Sequence, residues 1–418
     1  MKKNKATKIL LSGGSFSGNL GAQAMYDSII DELREHISEI EVSVLSKYPE
    51  DDKEGCKQRG YKLIPFPTTK QLVVGGLFYI FGGLLKLVHL PYRWLAGKTL
   101  KPYFENDILV DASGIAFTDD RSFTNVLINA LWFLPAIVSG IPIVKVSQTL
   151  GPYKKWYVKI FSNMVLKHVD YIVCRGKQSF DYTNQYLKKE NVYNLPDTAF
   201  CLKPADERIT DDLLGALQVK RNEYIAVGPS FVMRDYLEKG VYAQIFAETI
   251  NKLNEQNNMP FVFVPHSWKH SEKLGVDSVN DDYTVCRDIV WLLNQDVKYS
   301  IVDHEMSARE FKSIIGNAYL TIGSRYHFLI AALSSGVPSM ALGWSHKYKE
   351  LFGEFQVEEY VLEYKNMALE NVLLLAKQLL NNRDELFAKI NILLPSVKAQ
   401  SAENEKLVVK CLSEKGKI

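Results

Sequence analysis

The chain has 418 residues, of which 47% are hydrophobic and 23% are charged, and its formal net charge at pH 7 is +2. This composition is that of a folded globular protein, and the nearly balanced charge excludes the basic signature of a nucleic-acid-binding protein. Because the chain is too long for one ordinary hydrophobic core, we expect two domains.

Near the N-terminus a short strand leads into a glycine-rich loop and a helix. We predict the strand at residues 8–11, the loop at residues 12–21 and the helix at residues 22–34. Strand, glycine loop and helix in this order open many phosphate- or nucleotide-binding domains. The loop lacks Gly-x-Gly-x-x-Gly and the Gly-Lys-Ser/Thr of a P-loop. It therefore indicates either a close approach of backbone to a ligand or a plain tight turn.

Short apolar runs continue to alternate with amphipathic segments up to about residue 200. We predict strands at residues 41–45, 107–110, 143–146 and 171–174, helices at 122–139, 156–167 and 179–187, a last piece at 194–200, and a charged loop at 46–70. Such alternation specifies a parallel sheet with helices on both faces.

Residues 72–98 combine an apolar run with a basic flank. The run at residues 72–85 has no charged residue, contains four glycines and is too short to span a membrane. Lys86, His89, Arg93, Trp94 and Lys98 follow it. One interpretation is an interfacial helix that contacts an anionic membrane surface. The alternative is a buried core helix or a cover over a cleft.

The polar stretch at residues 204–223 is predicted to link the two domains. We place an N-terminal domain at residues 1–205 and a C-terminal domain at 206–418, whose last helix is a candidate to pack back on the first domain. In the second half we predict strands at residues 224–227, 261–264, 300–302, 319–322 and 340–342, and helices at 241–254, 282–293, 308–315 and 328–333.

The stretch at residues 319–347 is a predicted strand, helix and strand with polar side chains after each strand. Ser324 takes the predicted N-cap position, so Arg325 and His327 fall in the first helical turn. Free N–H groups and the helix dipole favour an anion there, and Arg325 adds a fork-shaped cation. His327 can transfer a proton near neutral pH. The alternatives are a surface ion pair for Arg325 and a packing role for His327.

Ligands of open parallel sheets bind beyond the carboxyl ends of the strands, and we expect a cleft between the two domains there. The second half places a cationic set at the strand ends, which suits a phosphorylated anion: Ser230, His266, Asp303, Arg325, His327 and Lys347. The first half places a hydrogen-bonding set there, which suits hydroxyls: the loop with Gly18 and Asn19, then Asp111, Ser113, Gln148 and Arg175. A structural role for His266 and a helix cap for Asp303 are the alternatives.

No metal site is predicted, since His-Glu-x-x-His and carboxylate clusters with magnesium-site spacing are missing from the sequence. We interpret the pairs Asp119-Asp120 and Asp281-Asp282 as solvated turn residues or helix caps. The five cysteines are scattered and form no Cys-x-x-Cys pair, which indicates a reducing, cytoplasmic compartment. No secretory signal is predicted, because the apolar run at residues 9–11 is too short.

Several blocks of the sequence together resemble the polysaccharide pyruvyl transferase family. They are Gly14-x-x-x-Gly18-Asn19-x-Gly21-Ala22, Asp111-x-Ser113-Gly114, Gln148-x-x-Gly151-Pro152, Cys174-Arg175 with Ser179, Pro196-Asp197, and Ser324-Arg325-Tyr326-His327 with Ala332, Gly336-Val337-Pro338 and Lys347. The resemblance covers about residues 8–355, and the Arg-x-His block is its most specific part. The middle residue of that block is often Leu in the family and is Tyr326 here.

The resemblance implies a glycosyltransferase-B-like fold, in which two Rossmann-like domains with parallel sheets face a central cleft. It also implies transfer of a pyruvyl group from phosphoenolpyruvate to two glycan hydroxyls as a ketal, without a cofactor, in bacterial surface or exopolysaccharide biosynthesis. In the family the Arg-x-His motif serves donor binding and acid catalysis, which carries to Arg325 and His327.

We accordingly assign the catalytic and binding residues as follows. Catalysis falls to His327 and Arg325, donor binding to Ser324, Arg325, Lys347, Arg175, His266 and Ser230, and acceptor binding to Gly18, Asn19, Asp111, Ser113 and Gln148. The glycan acceptor is free or lipid-linked, and the protein is expected in the cytoplasm, either in solution or at the inner face of the membrane. Two alternatives are a nucleotide-sugar-dependent glycosyltransferase of the same fold and a non-catalytic glycan-binding or scaffold protein.

Overall fold

The computed structural model describes residues 6–66, 71–238, 240–267 and 281–418, with only the backbone at positions 71 and 72. These residues form two compact units. The first holds the described residues up to Ser17, Met25–Thr198 and Gln400–Ile418; the second holds Gly18–Ala24 and the described residues from Ala199 to Ala399. Each unit contains one main parallel sheet with helices packed against it. The predicted fold class, two parallel-sheet α/β domains, is confirmed.

The sheet of the first unit has eight parallel strands. They are β1 (Thr7–Ser12), β2 (Ile40–Ser46), β3 (Lys62–Pro65), β4 (Ile108–Asp111), β5 (Ile115–Thr118), β6 (Ile143–Gly151), β7 (Tyr171–Cys174) and β8 (Val192–Asn194). The order is β3-β2-β1-β4-β6-β7-β8, and β5 pairs with β6. The central strand β4 is fully buried, as expected for an apolar run covered on both faces.

The α-helices described between β1 and β8 follow the predicted alternation with additions. They are α1 (Leu20–His36), α2 (Pro49–Gln58), α3 (Gly76–Leu87), α4 (Gly97–Leu100), α5 (Pro102–Glu105), α6 (Phe123–Ser139), α7 (Trp156–Leu166) and α8 (Lys177–Leu187). The prediction of a loop at residues 46–70 was wrong, because α2 and β3 lie there. Only Asp52 and Cys56 of α2 are buried, so its sequence shows no apolar stripe. Pro49 in the first turn, followed by three acidic residues, was the available signal.

The sheet of the second unit has six parallel strands in the order β11-β10-β9-β12-β13-β14. They are β9 (Ile225–Gly228), β10 (Phe261–Phe263), β11 (Tyr299–Ile301), β12 (Leu320–Gly323), β13 (Ser339–Gly343) and β14 (Val361–Glu363). The later α-helices are α9 (Glu207–Ala216), α10 (Phe231–Arg234), α11 (Val241–Asn257), α12 (Asp282–Val290), α13 (Ala308–Gly316), α14 (Tyr326–Leu333), α15 (Lys347–Gly353), α16 (Leu369–Asn381) and α17 (Arg383–Glu414).

Residues 204–223, predicted as a linker, contain α9. Its N-cap is Asp206, whose carboxylate accepts a hydrogen bond from the Ile209 N–H at 2.9 Å. The stretch is polar because most of α9 faces solvent, with Thr210 and Leu214 as its buried residues. No helix in the described part of the chain is both long and apolar enough to cross a membrane.

The start of α14 lies at the end of the two central strands of the second sheet. Gly323 of β12 pairs with Gly228 of β9, and the ring of Phe328 packs over both. A Cβ atom at either glycine would overlap that ring. The two glycines therefore let α14 begin directly against the strand ends, which is where the sequence predicts a ligand site.

Candidate functional site

Helix α14 begins at Tyr326, and its N-cap is Arg325 rather than the predicted Ser324. Arg325 has an extended backbone, with φ −103° and ψ 130°, and no side chain among the described residues caps the helix. Ser324 is buried; its N–H donates to the carbonyl of Gly228, and its carbonyl accepts from the Tyr348 hydroxyl, each at 2.8 Å. The backbone of Ser324 thus ties β9 to α15.

Arg325 forms a two-point ion pair with Asp282, the first residue of α12. Its Nε lies 2.8 Å from Oδ2, and its Nη2 lies 2.5 Å from Oδ1 of the carboxylate. Asp282 is fully buried and also accepts from the backbone N–H groups of Phe231 at 2.8 Å and Ser267 at 2.9 Å. Burial raises the pKa of Asp282, while Arg325 and these donors favour the charged form. The arrangement fixes the orientation of the guanidinium.

The interpretation of Asp282 as a solvated turn residue or helix cap was wrong. The cap of α12 is its neighbour Asp281, whose carboxylate accepts from the N–H groups of Tyr283 and Thr284 at 3.0 and 3.4 Å. Asp282 points to the interior, where a carboxylate requires a charged partner. That partner lies 43 residues further along the chain.

His327 and His266 lie with their rings parallel. The ring centroids are 6.0 Å apart and the planes differ by 9°. His266 is buried, and its ring centroid lies 5.5 Å from that of Phe311 in an edge-to-face arrangement. Among the described residues, neither ring nitrogen of His266 has a hydrogen-bond partner. Burial, and then the charges of Arg325 and His327, hold the pKa of His266 well below its usual value. The pair therefore consists of a neutral, buried imidazole and a partly exposed one.

The glycine loop of the N-terminus belongs to the same unit as His327 through Gly18–Ala24. A Cβ atom at Gly21 would overlap the imidazole of His327. Asn19 caps α1 by accepting from the Gly21 and Ala22 N–H groups at 3.0 and 3.2 Å. At position 21 the glycine therefore lets the backbone lie against the side chain that we assigned to catalysis.

Lys347 stands at the first position of α15 and is buried. Its ammonium lies 4.3 Å from the ring centroid of Trp344, 5.3 Å from that of Tyr326 and 5.4 Å from that of Tyr348. Three aromatic faces hold the cation by cation–π attraction. Tyr326, the residue that departs from the family pattern, is one of the three.

Ser230 and Asp303 also lie in the second unit, where their described contacts are a helix cap and a neighbouring histidine. Ser230 is buried and is the N-cap of α10, its hydroxyl oxygen accepting from the Met233 N–H at 3.3 Å. Asp303 is exposed and lies 3.6 Å from His304. The cap of α13 is Ser307, which forms a capping box with Glu310, so the alternative interpretation of Asp303 as that cap was wrong.

In the first unit, Asp111, Ser113 and Gln148 form one cluster. The Ser113 hydroxyl donates to Asp111 at 2.7 Å, and the Gln148 amide donates to the Asp111 carbonyl at 3.3 Å. A fully buried cation that was not predicted, Lys145, pairs with the Asp111 carboxylate. A lone lysine inside the apolar run of β6 was the signal for it.

Arg175 also lies in the first unit. Its Nε donates to the Thr149 hydroxyl at 3.1 Å, its Nη1 to Asp197 at 2.5 Å and its Nη2 to the Gly114 carbonyl at 3.1 Å. Two sets of predicted residues thus belong to different units: Ser230, Ser324, Arg325, His327, His266, Lys347, Gly18 and Asn19 to the second, and Asp111, Ser113, Gln148 and Arg175 to the first. No group of three or more His, Cys, Asp or Glu in the described residues could hold a metal ion.

One known protein family matches most of this chain. The polysaccharide pyruvyl transferase family matches residues 19–346, a span that includes the Asp282–Arg325 pair and both histidines. The chain belongs to the polysaccharide pyruvyl transferase family. The resemblance seen in the sequence is confirmed, and the Arg-x-His block of this family member is the one that begins α14.

A curated relative of this pyruvyl transferase family member matches it over nearly its whole length. It is the amylovoran biosynthesis protein AmsJ of Erwinia amylovora, 22% identical over 430 residues that cover 96% of this chain and 97% of that protein. The relative is thus a protein of exopolysaccharide biosynthesis.

Solved structures show the fold. The chain is similar to UDP-GlcNAc 2-epimerase from Neisseria meningitidis bound to UDP-GlcNAc, with a TM-score of 0.63 and 14% identity over 98% of this chain and all of that one. It is also similar to MurG of Acinetobacter baumannii, with a TM-score of 0.51 and 10% identity over 97% of this chain and 100% of that one. The family member therefore has the glycosyltransferase-B-like fold.

Proposed function

We propose that the protein transfers a pyruvyl group from phosphoenolpyruvate to two hydroxyl groups of a glycan, as a ketal, during exopolysaccharide biosynthesis. The observation that carries this proposal is the Asp282-anchored guanidinium of Arg325 at the start of the helix that presents His327 beside a neutral His266. The family match and the relative from amylovoran biosynthesis support the same reaction class.

Donor binding is the task of the cationic groups in the second unit. Phosphoenolpyruvate carries a phosphate and a carboxylate, and both are anions that a guanidinium recognises by planar, charge-assisted hydrogen bonds. Asp282 orients Arg325 through Nε and Nη2, so little freedom remains to be lost on binding. The N–H groups of the first turn of α14 and the caged ammonium of Lys347 add to the attraction for an anion.

His327 supplies the proton. As an imidazolium it protonates the methylene carbon of the donor, which becomes a methyl group, and positive charge develops at the central carbon. A sugar hydroxyl then attacks the central carbon, and its proton returns to His327. The bond from that carbon to the phosphate oxygen breaks next, and a second hydroxyl closes the ketal while its proton leaves with phosphate. Fixed charges around the reacting carbon stabilise these states without reorganisation.

The neighbouring imidazole explains which histidine carries the proton. Two adjacent imidazolium ions repel, and burial already holds His266 neutral. A single proton on the pair therefore resides on His327, the more exposed ring. We assign to His266 a contact with the donor, to which the single N–H of its neutral imidazole can donate a hydrogen bond.

The remaining assignments are part of the proposal. We assign Gly18 and Asn19 of the second unit to contacts with glycan hydroxyls, and we make the same assignment for Asp111, Ser113 and Gln148 of the first unit. Ser230, Ser324 and Arg175 support donor binding, although the contacts of Arg175 with Thr149, Asp197 and Gly114 make it the weakest member of the set.

The decisive experiment is incubation of the purified protein with isotope-labelled phosphoenolpyruvate and a panel of free and lipid-linked glycans. We expect phosphate release that depends on the acceptor, together with label and a mass gain on the sugar. Saturation with a uridine or cytidine diphospho-sugar, and none with phosphoenolpyruvate, would instead support the glycosyltransferase alternative. Glycan binding without phosphate release from any donor would support a non-catalytic protein.

A further inference from the structure

One face of α3 in the first unit is apolar and exposed. Leu77, Ile80, Phe81, Leu84 and Leu87 recur on it at spacings of one to four residues, and each is more than half exposed. We call these five residues the apolar stripe. Apolar residues at this helical period normally face the core of a domain. Here they face outward, and an exposed apolar patch of this kind marks an interaction surface.

The opposite face of α3 is anchored to the body of the unit. The edge of Phe78 packs against Phe104 with ring centroids 6.0 Å apart. Gly82 lies so close to Val138 of α6 that an added Cβ would be 3.3 Å from its side chain. Lys86 donates to the Val138 carbonyl at 2.8 Å. These contacts determine which face of α3 points outward.

The sequence around the stripe is basic. Residues 55–104 contain no Asp or Glu and eight Lys or Arg, in a chain with 48 acidic residues overall. Arg93 and Lys98, which we call the basic flank, are exposed and follow the stripe. Trp94 stands among them with 72% of its surface exposed. Lys101 pairs with Glu105, just beyond the acid-free segment, at 2.9 Å.

We propose that α3 docks the protein on an anionic phospholipid surface, with the helix lying in the plane of the interface. The apolar stripe enters the boundary between headgroups and acyl chains, Trp94 lies at headgroup level, and the basic flank contacts lipid phosphates. The helix has 12 residues, fewer than the ~20 that a spanning helix needs.

Charge selects the lipid over a second copy of this chain. A symmetric dimer would place the same patch on both sides of the interface and bring two basic flanks together. An anionic membrane pairs that flank with opposite charge and also accepts the apolar side chains. Membrane docking through this surface does not depend on the proposed reaction, and its test is independent of enzymatic activity.

Vesicle co-sedimentation of the full chain tests the proposal. Vesicles of phosphatidylcholine alone are compared with vesicles of equal parts phosphatidylcholine and phosphatidylglycerol. We expect binding to the anionic vesicles at least roughly tenfold tighter than to the neutral ones, and weakening as salt rises, because a Debye length of about 8 Å at physiological salt screens exposed charges.

Two variants and their matched controls separate the stripe from the flank. The stripe variant removes apolar contact by combining Ile80→Gln, Phe81→Gln and Leu84→Gln. Its control makes the same kind of change at exposed apolar positions elsewhere, by combining Trp291→Gln, Leu374→Gln and Ile392→Gln. The flank variant reverses the charge of the basic flank by combining Arg93→Glu and Lys98→Glu. Its control makes the same charge change at exposed lysines elsewhere, Lys377→Glu and Lys410→Glu. All substituted positions are exposed, so the fold is retained; thermal unfolding verifies this.

The expected result is loss of vesicle binding in the stripe variant and in the flank variant, and in neither control. Failure of the wild-type chain to bind anionic vesicles would overturn the proposal, as would equal binding to neutral vesicles or equal loss in the controls. A wild-type dimer that the stripe variant converts to a monomer, without vesicle binding, would identify a second copy as the occupant and would also overturn it.

Discussion

At the scale of single residues, the proposed reaction depends on His327. If this side chain is the proton donor that we propose, His327→Ala should lower kcat by roughly 10²–10⁴-fold with little change in the KM for the donor. Phosphate release under saturating phosphoenolpyruvate measures this. The matched control is His304→Ala, an exposed histidine, which should keep normal turnover. Near-normal kcat in the His327 variant would count against its role as the acid.

Asp282 positions the guanidinium, and its loss should affect donor binding. Asp282→Asn keeps the shape of the side chain but removes the charge opposite Arg325, and breaking a buried pair in this way costs about 3–5 kcal/mol. We expect a lower Tm and a raised KM for the donor, as for Arg325→Ala, with a smaller change in kcat. Asp281→Asn is the control, because Asn also caps helices. Similar losses in both variants would contradict the assignment.

The residues of the candidate site differ in how far the sequence could predict them. Arg325 and His327 follow a buried strand and open a helix, a local pattern that can be recognised along the chain. Asp282 could not be recognised as their anchor, because the ion pair joins positions 43 residues apart and the adjacent Asp281 is an ordinary cap. Lys145 is likewise explained only by Asp111 on a neighbouring strand.

At the scale of elements, the sequence located strands that are short apolar runs, but it did not locate helices that are mostly charged. The strands β4, β7 and β12 were located within a residue or two, since each is a short apolar run. Helices α2 and α9 were missed because few of their residues are buried. A helix that buries little surface needs few apolar residues, so its sequence lacks the apolar periodicity by which helices are recognised. Their caps and first-turn acids were the remaining signals.

The last helix, α17, contains a fully buried carboxyl group. Glu405 is fully buried and accepts from the Thr198 hydroxyl, and burial raises its pKa well above the usual value. Since the native state then binds a proton that the unfolded chain has released, the wild-type chain loses stability as pH rises above the unfolded pKa of about 4.3. Glu405→Gln keeps an oxygen acceptor for Thr198 and removes this loss.

We therefore expect Glu405→Gln to raise Tm at pH 8 and to change it less at pH 5. Thermal unfolding at the two pH values measures the difference. Glu403→Gln is the matched control, because Glu403 is exposed on the same helix and pairs with Lys406. A Glu405 variant with the pH trend of the wild-type chain would show that the buried group is charged in the native state.

At the scale of the whole molecule, alternation along the chain predicted two parallel α/β units. It did not indicate that Gly18–Ala24 groups with the second unit. The last helix, of which Gln400–Ile418 groups with the first unit, was a candidate to pack there from its position after the second set of strands, not from periodicity. Periodicity indicates that a segment has an apolar face, but it does not indicate which surface covers that face. Such assignments depend on long-range packing, for which one sequence carries no local pattern.

The pH dependence of overall stability should carry the signature of one buried lysine. Lys312 of α13 donates to the carbonyls of Leu202 at 2.7 Å and Phe200 at 3.5 Å, and burial lowers its pKa from 10.5 to about 7. Between these values the unfolded chain binds a proton that the native chain lacks, so the free energy of unfolding rises with pH. This slope is opposite in sign to that from Glu405.

Lys312→Met should remove that slope, since methionine fills similar space without a titrating group. Denaturant unfolding at pH 7 and pH 9 gives the free energy of unfolding at each end of the range. Lys377→Met, an exposed lysine of α16, is the control and should keep the wild-type slope. The substituted methionine leaves two carbonyls without their nitrogen donor, so absolute stability at pH 9 should fall while the change between the two pH values shrinks. An unchanged slope would mean that Lys312 stays protonated across this range and that its charge is compensated inside the second unit.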